Sequence, residues 1–280
     1  MIVALFANLQ KNHSVPIAKG ICDFFNKRKV KVVTEDSFAD KIGATPLFSV
    51  DPKSINFIIS LGGDGTILRV FHTHPELDAP ILGINMGGLG FMADIPVEEI
   101  NASLENLLDG NFKIQERIMM EGISSSQKTC FAINEITVHR AQNPSLIDLA
   151  LYVDGNYLNT FSADGIIIST PNGSTAYSLA AGGPILTPEL EAFVITPICA
   201  HTISNRPVVL MPKKEIQVRY LSESEAVEVN YDGFAHFPLY SGEVFRIIPS
   251  KRKFRSLHMP HYDFFATLRT KLGWTGRLKK

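Results

Sequence analysis

The sequence predicts an N-terminal Rossmann-like α/β domain followed by an antiparallel β-sandwich, with the C-terminal helix returning to the first domain. Three observations lead there. In the first hundred residues, apolar runs of strand length alternate with segments of helical periodicity, the pattern of a parallel sheet covered by helices. After about residue 111, short strand-like runs follow one another with turn signals between them, as in a sandwich. Near the end an isolated amphipathic segment reappears and needs an apolar surface to cover. The expected division is 1–97 with 256–280 for the α/β domain and 98–255 for the sandwich.

Each element has its own signal. Ile2 to Phe6 is a continuous apolar run, as expected of a strand buried on both faces. Ile17, Ile21, Phe24 and Phe25 share one helical face. Phe57-Ile58-Ile59 is a second buried strand that ends in a glycine loop, and Ile67, Val70 and Phe71 support a helix after it. Pro80 to Ile84 is a further strand. Pro96 near the start, Glu98 and Glu99 in the first turn, and Gly110 at the end bracket a helix whose apolar face is Ile100, Leu104, Leu107 and Leu108. In the second half, 131–133, 149–153, 165–168, 216–218 and 244–247 read as strands, with Asp154-Gly155 and Asp232-Gly233 as hairpin turns. A short helical segment is expected near Thr175 to Ala181. Phe264, Phe265, Leu268 and Leu272 form the face of the last helix.

The totals narrow the function. The chain has 280 residues, is 45% hydrophobic and carries a formal net charge of −1. That balance lacks the basic excess of a nucleic-acid binder. Its basic clusters, Lys251-Arg252-Lys253 with Arg255 and the tail Arg277, Lys279 and Lys280, read as solvated surface. The 3 cysteines, Cys22, Cys130 and Cys199, form no CxxC pair, so a reducing, cytoplasmic compartment is expected. No apolar run reaches the ~18 residues of a membrane span.

Three motifs carry chemistry. Gly62-Gly63-Asp64-Gly65-Thr66 joins a buried strand to a helix. Consecutive glycines let backbone N–H groups approach phosphate oxygens, and the helix N-terminus adds a favourable field. The loop lacks the GK[ST] ending of a Walker motif and differs from GxGxxG. Asp64 would repel phosphate unless it accepts a proton from an attacking hydroxyl or holds a magnesium ion; a plain capped turn is the bland alternative. Asn134-Glu135 offers donors and acceptors suited to a sugar diol or purine edge, or is merely a polar strand end. The stretch from Ala163-Asp164-Gly165 to Pro184 gathers hydroxyls and glycines around Tyr177, which could stack on a base or sit in the core.

With these motifs in this order, the sequence resembles the ATP-NAD kinase family, of bacterial type, over nearly its whole length. The resemblance rests on Gly62 to Thr66, Gly83-Ile84-Asn85 with Leu89-Gly90-Phe91, Asn134-Glu135, Asp164-Gly165, the 170–183 stretch and the closing Lys271-Leu272-Gly273-Trp274. It implies transfer of the ATP γ-phosphate to the 2′-hydroxyl of the adenosine ribose of NAD, with Mg²⁺, and a homo-oligomer. It assigns proton acceptance to Asp64 and phosphate or ATP contacts to Gly62, Gly63, Gly65 and Thr66. Gly65, Arg69, Asn134, Glu135, Ser145, Ser162, Asp164 and Asn172 fall in the NAD-binding set. So do Thr175, Ala176, Tyr177, Ser178, Leu179 and Ala180, around the adenosine part. Asp232-Gly233 matches a late turn near the site.

Asn172 stands where most relatives have Thr and keeps a hydrogen-bonding group, Gly88 where many have Arg, and Ser162 lacks the basic side chain of some members. The rival readings are a lipid or sugar-phosphate kinase with the same loop and a non-catalytic dinucleotide sensor. The first leaves Asn134-Glu135 unexplained, and the second leaves Asp64 without a purpose. His72 and His74 read as a helix-end surface pair, with no third ligand at metal spacing.

Overall fold

The computed structural model describes residues 1–88, 90–201, 205–212, 215–223, 225–274 and 276. Leu89 and the tail residues Arg277, Lys279 and Lys280 lie outside them. The chain forms two compact units, Met1–Gln115 with Arg255–Lys280, and Glu116–Phe254.

The first unit begins with β1 (Ile2–Ala7), α1 (Ser14–Lys27), β2 (Lys31–Thr34), α2 (Asp36–Ile42) and a two-residue β3 (Thr45–Pro46). Then come β4 (Phe57–Gly62), α3 (Asp64–Thr73), β5 (Ile81–Asn85), β6 (Ile95–Pro96), α4 (Ile100–Leu108) and β7 (Lys113–Arg117), whose last two residues, Glu116 and Arg117, already belong to the second unit. Residues 98–115, given by sequence to the second domain, belong here instead. The reason is the face of α4: Ile100, Leu104 and Leu107 are buried in one cluster with Val3, Leu5 and Leu82 of the strands. A helix with an apolar stripe needs that α/β core.

The second unit runs through β8 (Met120–Ile123), β9 (Thr129–Ala132), β10 (Glu135–His139), β11 (Ile147–Val153), β12 (Asn156–Ala163) and β13 (Gly165–Ser169). A 3₁₀ turn over Asn172–Thr175 and the four-residue α5 (Tyr177–Ala180) follow, then β14 (Phe193–Ile198), β15 (Val208–Leu210) and β16 (Ile216–Tyr220). It closes with β17 (Val227–Tyr231), β18 (Ala235–Leu239) and β19 (Val244–Pro249). Among the described residues these strands make two sheets, ordered β15-β14-β13-β10-β17-β18 and β12-β11-β16-β19-β8-β9. Their neighbours pair antiparallel. Ile136, Val138, Ile166 and Val229 of one sheet and Leu149, Leu151, Val218 and Phe245 of the other share one core, which makes the unit a sandwich. Both predicted turns have the left-handed pair of a tight hairpin, φ 50° and 75° at Asp154-Gly155 and 51° and 64° at Asp232-Gly233.

The chain then returns through β20 (Phe254–His258) and α6 (Phe264–Leu272). The first unit's sheet is ordered β3-β2-β1-β4-β5-β20-β7, with β6 also paired to β5. Strands β3 to β5 and β20 run parallel. In α6 the buried face is Phe264, Thr267 and Leu268, whereas Phe265, expected inside, is 56% exposed. One residue on from Phe264 is a rotation of about 100°, so the two cannot share a narrow stripe.

Candidate active site

The glycine loop lies where the sheet order turns. From β1 the chain proceeds to β2 on one side, while β4 pairs with β1 on the other. The carboxyl ends of β1 and β4 therefore flank the crevice in which open α/β sheets bind ligands. A cleft of about 380 Å³ belongs to the second unit; here the crevice measures about 310 Å³ and is lined by Ala7, Asn8, Leu9, Gln10, Glu35, Gly65, Thr66 and Arg69. Gly65, Thr66 and Arg69 were legible from sequence. Asn8, Gln10 and Glu35 were not, although their position just past β1 and β2 is the signal that marks such a crevice. Arg69 reaches Glu35 at 3.3 Å and the Ala7 carbonyl at 3.2 Å, so its guanidinium is held beside the cleft. His74 also approaches Glu35, and that contact outweighs burial to raise the His74 pKa.

Gly62 is needed for close approach: a Cβ there would meet Thr66 Oγ1 at 2.2 Å. That packing brings the first turn of α3 against the strand end, with N–H groups that have no acceptor within the helix. Asp64 is the first residue of α3. Its Oδ1 accepts hydrogen bonds from the backbone N–H groups of Met92 and Ala93 at 3.0 and 2.8 Å, and its Oδ2 accepts one from Phe91 at 2.9 Å. Asn85 holds both sides of this cradle in shape, donating to the carbonyls of Gly88 and Ala93 and accepting from the Gly87 N–H. Gly90 sits against the carboxylate, where a Cβ would lie 2.1 Å from Asp64 Oδ1. The motif around Gly90-Phe91 is thus the cradle of the Asp64 side chain, a role the sequence did not reveal.

The second unit carries the other polar groups. Asp232, at the left-handed position of its turn, accepts the backbone N–H groups of Ile133, Asn134 and Glu135 at 2.8, 2.8 and 3.1 Å. This fixes the entry to β10. Glu135 opens that strand, and its Oε2 is buried with no hydrogen-bond partner among the described residues. Burial first, and the Asp232 charge second, push its pKa up to about 8. Glu135, Asp164 and Tyr177 line the 380 Å³ cleft together with Thr137, His139, Arg140 and Asn230. Arg140 pairs with Asp164 at 2.9 Å. Burial lowers the pKa of His139 on the same wall, against the opposing effect of Glu228.

The other expected residues fall into two groups. Asn172 donates through Nδ2 to Asn134 Oδ1 at 2.6 Å, and Thr175 donates to the Asn172 carbonyl. Ala176 leads into α5 from the 3₁₀ turn, while Ala180 and Tyr177 face solvent and Leu179 is half-buried. Ser178 instead points inward and shares a hydrogen bond with Thr196 at 2.9 Å. Ser145 is exposed, its N–H bound to Asn143 Oδ1, and Ser162 lies on β12 in the opposite sheet. Neither lines the cleft. Gly88 lends its carbonyl to Asn85.

Comparison with known proteins places the chain. The profile described as the ATP-NAD kinase N-terminal domain matches residues 3–112, and that of the ATP-NAD kinase C-terminal domain matches 133–259. The NAD kinase of Protochlamydia amoebophila is 58% identical over 278 residues, spanning 99% of this chain and 100% of that protein. The NAD kinase of Geobacter metallireducens is 34% identical over 280 residues, spanning 98% and 99%. Yeast NADH kinase, solved in complex with NADH, shares the fold at a TM-score of 0.87 and 24% identity, over 100% of this chain and 90% of that one. The Archaeoglobus fulgidus NAD kinase, solved with ATP, superposes at 0.77 with 27% identity over 99% and 100%. With both domains matched in order and relatives this similar end to end, the chain belongs to the ATP-NAD kinase family.

Proposed function

We propose that this protein transfers the γ-phosphate of ATP to the 2′-hydroxyl of the adenosine ribose of NAD, with Asp64 as the proton acceptor. The observation that carries the role of Asp64 is its position: a carboxylate on the first residue of α3, one residue before Gly65 of the crevice wall, locked by three backbone N–H groups. A ribose hydroxyl is a weak nucleophile, so most of the rate comes from alignment and from neutralising phosphate charge. Asp64 orients the hydroxyl and takes its proton as the bond to phosphorus forms. Oδ2, which accepts one N–H where Oδ1 accepts two, is the oxygen with capacity for it. Gly62, Gly63 and Gly65 present N–H groups to the phosphates, Thr66, whose own N–H is held by the Gly63 carbonyl at 2.9 Å, offers its hydroxyl, and Arg69 adds a fixed positive charge.

In the second unit Asn134, Glu135 and Asp164 bind the dinucleotide, Tyr177 offers an exposed ring for stacking, and residues 172–180 flank the adenosine part. Magnesium needs only one or two carboxylates when phosphates supply the rest of its shell. With three N–H groups and the ribose hydroxyl on its oxygens, the Asp64 carboxylate has no lone pair left for the ion, so no side chain is assigned to it; held by the phosphates and water, it would supply charge neutralisation at the transferring phosphoryl group. The protein is read as a cytoplasmic homo-oligomer. No helix of the described residues is long and apolar enough to cross a membrane, and the described cysteines are all unpaired.

The test is a coupled assay with NAD, ATP and Mg²⁺, repeated with polyphosphate and with NADH. No NADP formation in any combination refutes the reading. Asp64→Asn is expected to leave NAD affinity near normal while kcat falls by about two orders of magnitude or more. Near-normal turnover in that variant would remove Asp64 from the role of base.

A further inference from the structure

Arg117, the last residue of β7, is among the largest fully buried side chains of the molecule, at 2% exposure. A guanidinium is costly to bury unless polar groups surround it. One of those groups is the side-chain amide of Asn172, whose Oδ1 accepts from Arg117 Nη1. The opposite end of the same amide, Nδ2, donates to Asn134 Oδ1 at 2.6 Å. Asn134 itself has little freedom. Asp232 holds its backbone N–H, and its carbonyl accepts the Thr170 N–H at 2.8 Å.

The order of these bonds is dictated by chemistry. Arginine has five donors and no acceptor, so the Asn172 atom facing it must be the oxygen. The nitrogen of Asn172 then faces Asn134, and the Asn134 atom that meets it must again be an oxygen. What remains on Asn134 is its NH₂ group, which makes no hydrogen bond among the described residues. An amide that alone could sit either way round is thereby set one way.

We propose that Arg117 is a positioning and specificity-determining residue: through Asn172 it fixes Asn134 as an obligate donor, so the dinucleotide atom that meets it must be an acceptor. This rests on the reading of Asn134 as part of the NAD-binding set. Arg117 acts through the relay and does not touch substrate. The residue at 172 is the switch point. An isosteric carboxylate there still pairs with Arg117, yet it offers Asn134 only an acceptor and turns the amide round.

Two variants test this by titration calorimetry with NAD, beside Asn134→Ala and the corresponding double variants. Asn172→Asp is expected to keep the wild-type Tm or raise it, because it gives Arg117 a counter-charge, while NAD binds about tenfold more weakly. Arg117→Met is expected to weaken NAD by a similar factor, with Arg117→Lys, still a donor, in between. Combined with Asn134→Ala, neither change should weaken binding beyond about twofold more than Asn134→Ala alone, because the loss passes through one amide. Losses that multiply in the double variants overturn the relay, as does an Asn172→Asp protein that binds NAD like wild type. If Arg117→Met does not fold, Asn172→Asp carries the test alone. Wild-type protein that binds no NAD would instead refute the substrate assignment.

Discussion

Glu135 shows how far a residue's state departs from what its neighbours in sequence suggest. Read locally, Asn134-Glu135 is a polar pair beginning a strand. The groups that define it are remote: Asp232 is 97 residues away from Glu135, and Asn172 is 38 from Asn134. The pair was therefore legible as a candidate, whereas its burial was not. Burial and the Asp232 charge raise the Glu135 carboxyl from 4.5 to about 8, so the folded protein holds a proton that the unfolded chain has released. Stability from this group is full below the unfolded value and falls as pH rises from about 4.5 to about 8. The drop is on the order of a few kcal/mol. Glu135→Gln should flatten the slope, and urea titrations of both proteins without nucleotide, at steps from pH 5 to pH 8.5, measure it. Parallel profiles would show that Glu135 stays ionised in the fold.

At the scale of elements, the strand–loop–helix around Asp64 was legible because its pattern is local: an apolar run, a glycine pair, then helical periodicity. The cradle was not, since the loop that binds the carboxylate lies 27 to 29 residues further on. Its glycine appeared in the sequence as part of a motif without a stated purpose. The structure supplies one, a contact too close for any side chain. Gly90→Ala forces either the loop or the carboxylate to move, and overpacking of this kind costs about 1–3 kcal/mol. The larger effect should be on turnover. kcat is expected to fall at least about tenfold, as a displacement of about 1 Å at a reacting group can cost more than that. NAD affinity, which the proposed function assigns mainly to residues of the second unit, should change little. An Ala variant with wild-type kcat would mean that the cradle does not position Asp64 for chemistry.

Across the whole molecule, the two units differ in how the chain builds them. The change from helix–strand alternation to serial strands was visible in sequence, as was the returning helix. The extra strand β20 was not, because Phe254 to His258 carries no run of apolar residues and earns its place only between β5 and β7. That strand makes the first unit discontinuous. A fragment of residues 1–115 lacks β20, with buried Leu257, and α6, with buried Phe264 and Leu268, and leaves open the Ile81 end of the β5 edge, the other end being paired to β6. The second unit is a single stretch with its own core drawn from both of its sheets. Residues 116–254 expressed alone should therefore unfold cooperatively in urea, and residues 1–115 alone should not, circular dichroism serving as the readout. A cooperative transition from the 1–115 fragment would show that the parallel sheet is complete without its returning strand, and that the chain's return serves the site rather than the fold.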